Sequence, residues 1–201
     1  MKWFREGHSV SKHMLTIYSI VRGLNAKRAL EIGFGRSSIV LARAMHENDG
    51  EFICCDMGDC DDLFTESEKR NTRFICGNSD TVWKDANLCK DGFDFAFLDY
   101  FSGESISLYF VIKEVRNCLR RLRPGGILCI HDVANPQYPV HRIGPYLRRD
   151  SSVEWLTIPY GEGLAVIRKK KPHPGWLSTI RLNLLWGESI VELLLRRRNP
   201  S

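Results

Sequence analysis

The stretch ALEIGFGRSSIVLARAM, residues 29–45, places a short apolar strand, two glycines and a serine pair directly before a helix-like repeat of apolar residues. In doubly wound α/β proteins, ligands bind beyond the carboxyl ends of the parallel strands, and the first strand-to-helix turn borders that site. Gly33 and Gly35 lack Cβ atoms, so the backbone can turn tightly there and a ligand can approach it closely. The stretch therefore predicts an α/β fold with a ligand site at this turn.

Outward from this turn, strand and helix signals alternate. A helix is expected from about Val10 to Leu24, and later strands are expected at EFICCD, TRFICG, FDFAFLD and GGILCIHD. The helical signals include residues 79–89 and about 104–122. The segment SVEWLTIPYGEGLAVIRK, residues 152–169, leaves no room for a crossover helix and predicts an antiparallel hairpin. The pattern predicts a Rossmann-like doubly wound sheet of about seven strands, mostly parallel, with an antiparallel C-terminal hairpin.

The 201 residues fit one domain over residues 1–171, followed by a basic amphipathic C-terminal tail over residues 172–201. From Arg168 to the end there are eight Lys or Arg and two Glu, while the whole chain carries a net charge of +5. The basic excess therefore belongs to the tail, and a nucleic-acid-binding face on the body is not expected. For the tail, three alternatives stay open: packing on the domain, a homo-oligomer contact, or peripheral contact with an anionic membrane.

The cysteines predict a reducing compartment. There are seven, an odd number, with no CxxC pair. Four of them, Cys54, Cys55, Cys76 and Cys129, lie in strand-like runs and are expected to be small core residues. The chain start lacks the apolar core of a signal peptide, and no apolar run reaches the length of about 18 residues that spans a membrane. A cytoplasmic location is therefore expected, with peripheral membrane contact as an alternative.

Two carboxylates indicate the ligand. Glu31 ends the first strand, where it would repel a pyrophosphate but would suit a ligand with an ammonium group. Asp56, 21 residues after Gly35, ends the second strand and could accept hydrogen bonds from both hydroxyls of a ribose. A ribose at one end and an amino acid at the other describe S-adenosylmethionine. An NAD-dependent dehydrogenase would leave Glu31 and the hairpin unexplained.

The motifs EIGFGRSS, CCDMGD, ICGNSD, FDFAFLDY and LRRLRPGGILCIHDV are similar, in this order, to those of class I S-adenosylmethionine-dependent methyltransferases. The resemblance covers about residues 10–170 and is strongest to the small O-methyltransferase-like group. It implies the fold, the cofactor S-adenosyl-L-methionine and a set of cofactor-binding residues: Glu31, Gly33, Phe34, Gly35, Ser38, Asp56, Met57, Asn78, Ser79 and Asp99. The chain departs from the family where Ser37-Ser38 replaces a third glycine and where Asn78 replaces a carboxylate.

The candidate catalytic residues, Asp99, His131 and Asp132, end the fourth and fifth strands. Asp99 and Asp132 could share Mg²⁺ or another divalent cation through oxygen ligands. Relative to the metal-dependent relatives this ligand set is incomplete, because His131 and Asp132 are followed by Val133. Alternatively, His131 is a general base with a pKa near neutrality, and Asp132 or Asp99 orients it.

The leading hypothesis is an enzyme that transfers a methyl group from S-adenosylmethionine to a hydroxyl of a small molecule or sugar. The basic tail keeps open a methyltransferase acting on RNA or protein. The altered glycine motif and the incomplete metal set keep open a non-catalytic scaffold with the same fold.

Overall fold

The computed structural model describes residues 9–58, 64–101 and 106–170. Its strands are Arg28–Ile32 (β1), Glu51–Asp56 (β2), Thr72–Cys76 (β3), Phe93–Leu98 (β4), Leu122–His131 (β5), Val153–Ile158 (β6) and Leu164–Lys169 (β7). Its α-helices are Met14–Gly23 (α1), Arg36–Glu47 (α2), Glu66–Lys69 (α3), Ser79–Lys84 (α4), Ala86–Cys89 (α5), Leu108–Arg121 (α6) and Gly144–Arg149 (α7). Short 3₁₀ helices at Ser9–Lys12 and Pro139–Ile143 precede α1 and α7.

The strands form one sheet in the order β3-β2-β1-β4-β5-β7-β6. The first five strands pair in parallel, and β7 runs antiparallel to both β5 and β6. The strand order reverses between β1 and β4, so the carboxyl ends of these strands border a ligand crevice. The predicted Rossmann-like sheet and its hairpin are confirmed. The antiparallel strand, β7, lies between β5 and β6 and is therefore second from the edge of the sheet.

Two predicted helices have different bounds in the structure. The helical signal over residues 79–89 divides into α4 and α5, because Asp85 has extended backbone (φ −79°, ψ 100°). Its carboxylate instead accepts a hydrogen bond from the backbone N–H of Leu88 and caps α5. Helix α6 begins at Leu108, where the hydroxyl of Ser107 caps it by accepting from Phe110 N–H. Local capping thus decided bounds that apolar spacing had left imprecise.

Apolar side chains pack on both faces of the sheet. Helices α1 and α2 cover one face, with Ile17 and Leu41 among its buried residues, and α4 to α7 cover the other, with Val111 among them. Cys54, Cys55 and Cys129 are buried as predicted, but the core prediction is wrong for Cys76, which is exposed. Cys76 ends the edge strand β3, where one side of the strand has no neighbour.

The predicted C-terminal tail, residues 172–201, lies outside the described residues, so its boundary and its three alternative roles stay predictions. Within the described part of the chain, no helix combines the length and the apolar character needed to cross a membrane.

The carboxylate of Glu114, on α6, is completely buried and joins three elements. It accepts hydrogen bonds from Trp83 Nε1 at 2.8 Å and from the Tyr100 hydroxyl at 2.5 Å. Burial, with the charge of Glu114 in addition, raises the pKa of Tyr100 far above its usual range, so this hydroxyl stays a donor. The network ties the segment after β4 to α4 and α6 and holds Tyr100, which directly follows Asp99.

Tyr100→Phe should lower the free energy of unfolding by about 1–3 kcal/mol, because the buried Glu114 carboxylate loses a donor. Urea unfolding of the two proteins measures this difference. Tyr160→Phe is the matched control, since Tyr160 is 65% exposed and its variant should stay within about 0.5 kcal/mol of wild type. Equal stability of both variants would show that the network does not contribute.

Candidate active site

The first turn brings the ends of β1 and β4 into direct contact. Gly33 has φ +98°, and a Cβ atom there would lie 2.3 Å from the backbone oxygen of Asp99. Gly35 is different, because its φ of −172° is extended backbone that any residue can adopt. A Cβ atom on Gly35 would meet no described atom within 4 Å. Gly33 is therefore required for chain packing, whereas Gly35 leaves open space at the start of α2.

Glu31 is fully enclosed beneath the start of α2. The hydroxyl of Ser37 donates to Glu31 Oε1 at 2.6 Å, and the thiol of Cys54 donates to Oε2 at 3.6 Å. Burial outweighs these hydrogen bonds and raises the pKa of Glu31 to about 8, with a smaller contribution from the Asp99 charge. A ligand ammonium group would favour the ionised carboxylate. The predicted contact with such a group therefore requires α2 or its turn to admit the ligand.

Asp56 bridges the ends of β1 and β2. Its Oδ2 accepts from Phe34 N–H and its Oδ1 from Gly58 N–H, each at 2.8 Å. Glu31 pairs in register with Cys54, and side chains alternate between faces, so Asp56 lies on the same face as Glu31. The two predicted ends of the cofactor site therefore share one face of the sheet. Met57, the next residue, is 79% exposed.

The other predicted cofactor residues have contrasting environments. Ser38 is completely buried, and its Oγ accepts from Gly35 N–H at 3.0 Å, so it braces the turn. Asn78 is exposed at the carboxyl end of β3 and does not cap α4 with its side chain. Ser79 is buried close to Tyr100, so this corner of the site adjoins the segment after β4.

Asp99, His131 and Asp132 form a cluster at the ends of β4 and β5. His131 is 2% exposed, and its Nδ1 lies 3.1 Å from Asp99 Oδ1 and 2.9 Å from Asp132 Oδ1. Asp132 has φ +64°, a left-handed conformation that is uncommon for residues other than glycine. This conformation directly follows β5, and strained backbone of this kind is concentrated at functional sites.

The pKa prediction for His131 is wrong. Burial by itself would lower the pKa of His131, but the hydrogen bonds and charges of Asp132 and Asp99 outweigh it and raise the pKa to about 9. The ring is therefore a protonated imidazolium at neutral pH, and in this state it cannot accept a proton as a general base. The sequence showed each of these residues at a strand end, but not that one nitrogen would meet both carboxylates.

The three residues of this cluster are close enough to bind a divalent cation, but their ligand atoms are not all of the type that Mg²⁺ prefers. One ligand atom from each of Asp99, His131 and Asp132 lies within 4.8 Å of the others, so the three could hold an ion. Mg²⁺ prefers oxygen ligands, and here the third ligand would be an imidazole nitrogen that already bonds both carboxylates. A metal would have to displace the proton on Nδ1. The residues thus fit Mg²⁺ poorly, and the imidazolium supplies a positive charge between the two carboxylates.

Sequence reasoning missed one residue of this region, His13, which immediately precedes α1. It is 1% exposed, and its ring meets that of His131 edge to face, with centroids 5.5 Å apart and planes at 70°. The Nε2 atoms of both rings are buried and have no hydrogen-bond partner within residues 9–58, 64–101 and 106–170. Burial and the nearby His131 lower the pKa of His13. No motif marks His13, because only folding brings the N-terminal segment to the end of β5.

Fold and site together define a class I S-adenosylmethionine-dependent methyltransferase, as the motifs predicted. Residues 30–133, just over half of the chain, match the family model described as a methyltransferase domain, and the chain belongs to that family. No curated protein is significantly similar to the chain in sequence.

Solved structures share this fold. One is the O-methyltransferase TomG from Streptomyces achromogenes in complex with S-adenosylmethionine, with 20% identity, a TM-score of 0.62, and coverage of 80% of this chain and 81% of that chain. Another is the O-methyltransferase from Bacillus cereus in complex with S-adenosylhomocysteine, with 17% identity, a TM-score of 0.61, and coverage of 79% and 81%. At these identities the likeness establishes the fold alone.

Gly33→Ala and Gly35→Ala should have opposite effects. The first should destabilise the protein strongly, because the added methyl group meets the Asp99 backbone and the left-handed φ is strained. The second should leave stability within about 1 kcal/mol of wild type but weaken cofactor binding, because it fills the open space. Thermal unfolding and calorimetric titration with S-adenosylmethionine measure both effects. Similar stability losses for both variants would contradict this division of roles.

Stability should depend on pH through Glu31. Its pKa is raised from 4.5 to about 8, so the folded state binds an extra proton between these values. The contribution of this group is therefore fully present below pH 4.5 and is lost as the pH rises through about 8. Relative to Glu31→Gln, which cannot ionise, wild type should lose stability across this window in urea unfolding. The exposed-site control Glu154→Gln should run parallel to wild type, and a parallel Glu31→Gln curve would contradict the expectation.

Proposed function

We propose that this enzyme transfers the methyl group of S-adenosylmethionine to a hydroxyl of a small molecule or sugar. The observation that carries this proposal is the position of His131, which Asp99 and Asp132 hold through Nδ1. Its Nε2 has no partner in the part of the chain that the structure describes. A buried, unpartnered imidazole nitrogen suits a polar acceptor group. The O-methyltransferase names of the similar solved structures agree with this choice of acceptor.

The cofactor would lie across the ends of β1, β2 and β4. Asp56 would accept hydrogen bonds from the ribose hydroxyls after giving up its contact with Phe34 N–H. Glu31 would face the ammonium group, and the open space at Gly35 would admit the amino-acid part of the cofactor. Asn78, exposed after β3, and Ser79 would border the adenine, and an amide can pair with its amino group.

Methyl transfer is an in-line displacement at the sulfonium, so much of the catalysis can come from holding the acceptor oxygen and the methyl group in line. Because two carboxylates fix the ring of His131, its Nε2–H has a defined direction. The imidazolium would donate to the acceptor oxygen and stabilise the negative charge that develops there as the hydroxyl proton leaves. In this role His131 is an oxygen-binding donor, not the general base.

The cofactor site is tested by calorimetric titration with S-adenosylmethionine. Asp56→Ala should weaken binding about tenfold or more, because each ribose hydroxyl loses a charged acceptor whose hydrogen bond contributes about 1.5–3 kcal/mol. Glu154→Ala should bind as wild type, since Glu154 is on β6 and forms exposed ion pairs with Arg168 and Lys170. Absence of cofactor binding by the wild type would exclude the proposed activity.

The acceptor chemistry is tested with radiolabelled S-adenosylmethionine and a panel of phenols and sugars. His131→Gln should reduce methyl transfer about 100-fold, as expected for the loss of a donor to a developing oxyanion, while cofactor affinity stays unchanged. EDTA should leave the rate unchanged, because the imidazolium stands where a metal would bind. Cofactor binding without transfer to any hydroxyl, amine or macromolecular acceptor would instead support the non-catalytic alternative.

A further inference from the structure

The proposed acceptor end of the site contains two buried imidazole nitrogens without hydrogen-bond partners among the described residues. Nε2 of His13 and Nε2 of His131 are both in this state, in side chains that are 1% and 2% exposed. Buried polar atoms in folded proteins are nearly always paired, so such atoms indicate a group that binds there. Since the rings are 5.5 Å apart between centroids, one small polar group could contact both.

The two rings are held differently. Nδ1 of His131 meets Asp99 and Asp132 at 3.1 and 2.9 Å. Burial and the nearby His131 lower the pKa of His13, so its ring is neutral at neutral pH. A neutral imidazole carries its proton on one nitrogen and a lone pair on the other. With the proton on Nδ1, Nε2 of His13 is a hydrogen-bond acceptor.

The two nitrogens are complementary. The carboxylates of Asp99 and Asp132 next to Nδ1 favour the doubly protonated ring of His131, so its Nε2–H is a donor. Nε2 of His13 is an acceptor when that ring carries its proton on Nδ1. A hydroxyl accepts one hydrogen bond and donates another, and therefore satisfies both atoms. A carboxylate has no proton to donate, and an ammonium group has no lone pair to accept with. The pair thus selects a hydroxyl.

We propose that His13 is a catalytic residue that accepts the proton of the acceptor hydroxyl, while Nε2–H of His131 holds the acceptor oxygen. This inference rests on the proposed methyl transfer to a hydroxyl. In the step, the oxygen forms a bond to the methyl carbon as the carbon–sulfur bond breaks. The sulfur keeps the bonding electron pair and becomes a neutral thioether, and the hydroxyl proton moves to Nε2 of His13.

The N-terminal segment holds His13 in place from both sides. The backbone N–H of His13 donates to the carbonyl of Val10 at 2.9 Å, and its carbonyl accepts from Ile17 N–H at 2.9 Å. The neighbouring Lys12 places its Nζ 4.9 Å from the ring centroid of Tyr160, in the turn between β6 and β7. The backbone of His13 is thus anchored to α1 and to this turn before an acceptor binds.

Nitrogen-15 spectra of the histidine side chains, recorded on the wild-type complex with S-adenosylhomocysteine, test the geometry. We expect His13 to be protonated at Nδ1 only and His131 at both nitrogens. Phenol, a minimal aryl hydroxyl, or methyl glucoside, a sugar hydroxyl, should shift Nε2 of His13, and anisole, which has no O–H, should not. The probe that acts identifies the hydroxyl class. An Nε2-protonated His13, or no shift with either hydroxyl probe, would overturn the proposal and would indicate a structural site filled by water.

His13→Gln supplies the kinetic test with the hydroxyl acceptor that the labelled-cofactor panel identifies. The maximal rate should fall about 100-fold or more, the range expected for loss of a general base, while the affinity for S-adenosylmethionine stays unchanged. The matched control is His46→Gln, in the last turn of α2, which also has a buried unpartnered ring nitrogen but lies at the opposite end of the sheet. It should retain the wild-type rate.

The outcomes separate the two proposals. Failure of the wild type to bind S-adenosylmethionine would exclude methyl transfer itself. Cofactor binding and transfer that survive in His13→Gln would overturn the role of His13 alone. If His13→Gln does not fold, the wild-type spectra still decide the question, because they require no substitution.

Discussion

The contact between Gly33 and the backbone of Asp99 underlies the whole site. At this point in the sheet the strand order reverses, and the ends of β1 and β4 can meet only because Gly33 has no side chain and takes a left-handed φ. The same contact fixes the position of the Asp99 backbone next to β5, and thereby the distance from Asp99 to His131. One backbone contact therefore positions both the residues proposed for the cofactor and those proposed for the acceptor.

Near this contact, Glu31 and His131 are both buried, but Glu31 is mostly neutral and His131 is mostly charged. The donors to Glu31 among the described residues are hydroxyls and a thiol, so desolvation dominates and its carboxyl is largely protonated at neutral pH. His131 has two carboxylates at one nitrogen, so its cationic form is favoured despite burial. Both groups thus avoid uncompensated buried charge in the described structure.

Much of the fold could be predicted because parallel strands, buried on both faces, leave a clear apolar signal, and a hairpin too short for a helix has one solution. Helix bounds were less predictable, because capping by Asp85 and Ser107 decided them locally. Cys76 shows the limit of composition: an apolar run predicts a strand, but not whether that strand lies at the edge of the sheet.

The sequence by itself determined the sheet class, the order of the motifs, and the placement of Glu31, Asp56, Asp99 and His131 at strand ends. These follow from local periodicity, which acts over a few residues. Only the tertiary structure decided that Ser37 encloses Glu31, that both carboxylates meet one nitrogen of His131, and that His13 reaches the same place. Such contacts join residues far apart in the chain, and their distances depend on the register and twist of the sheet, which no local pattern encodes.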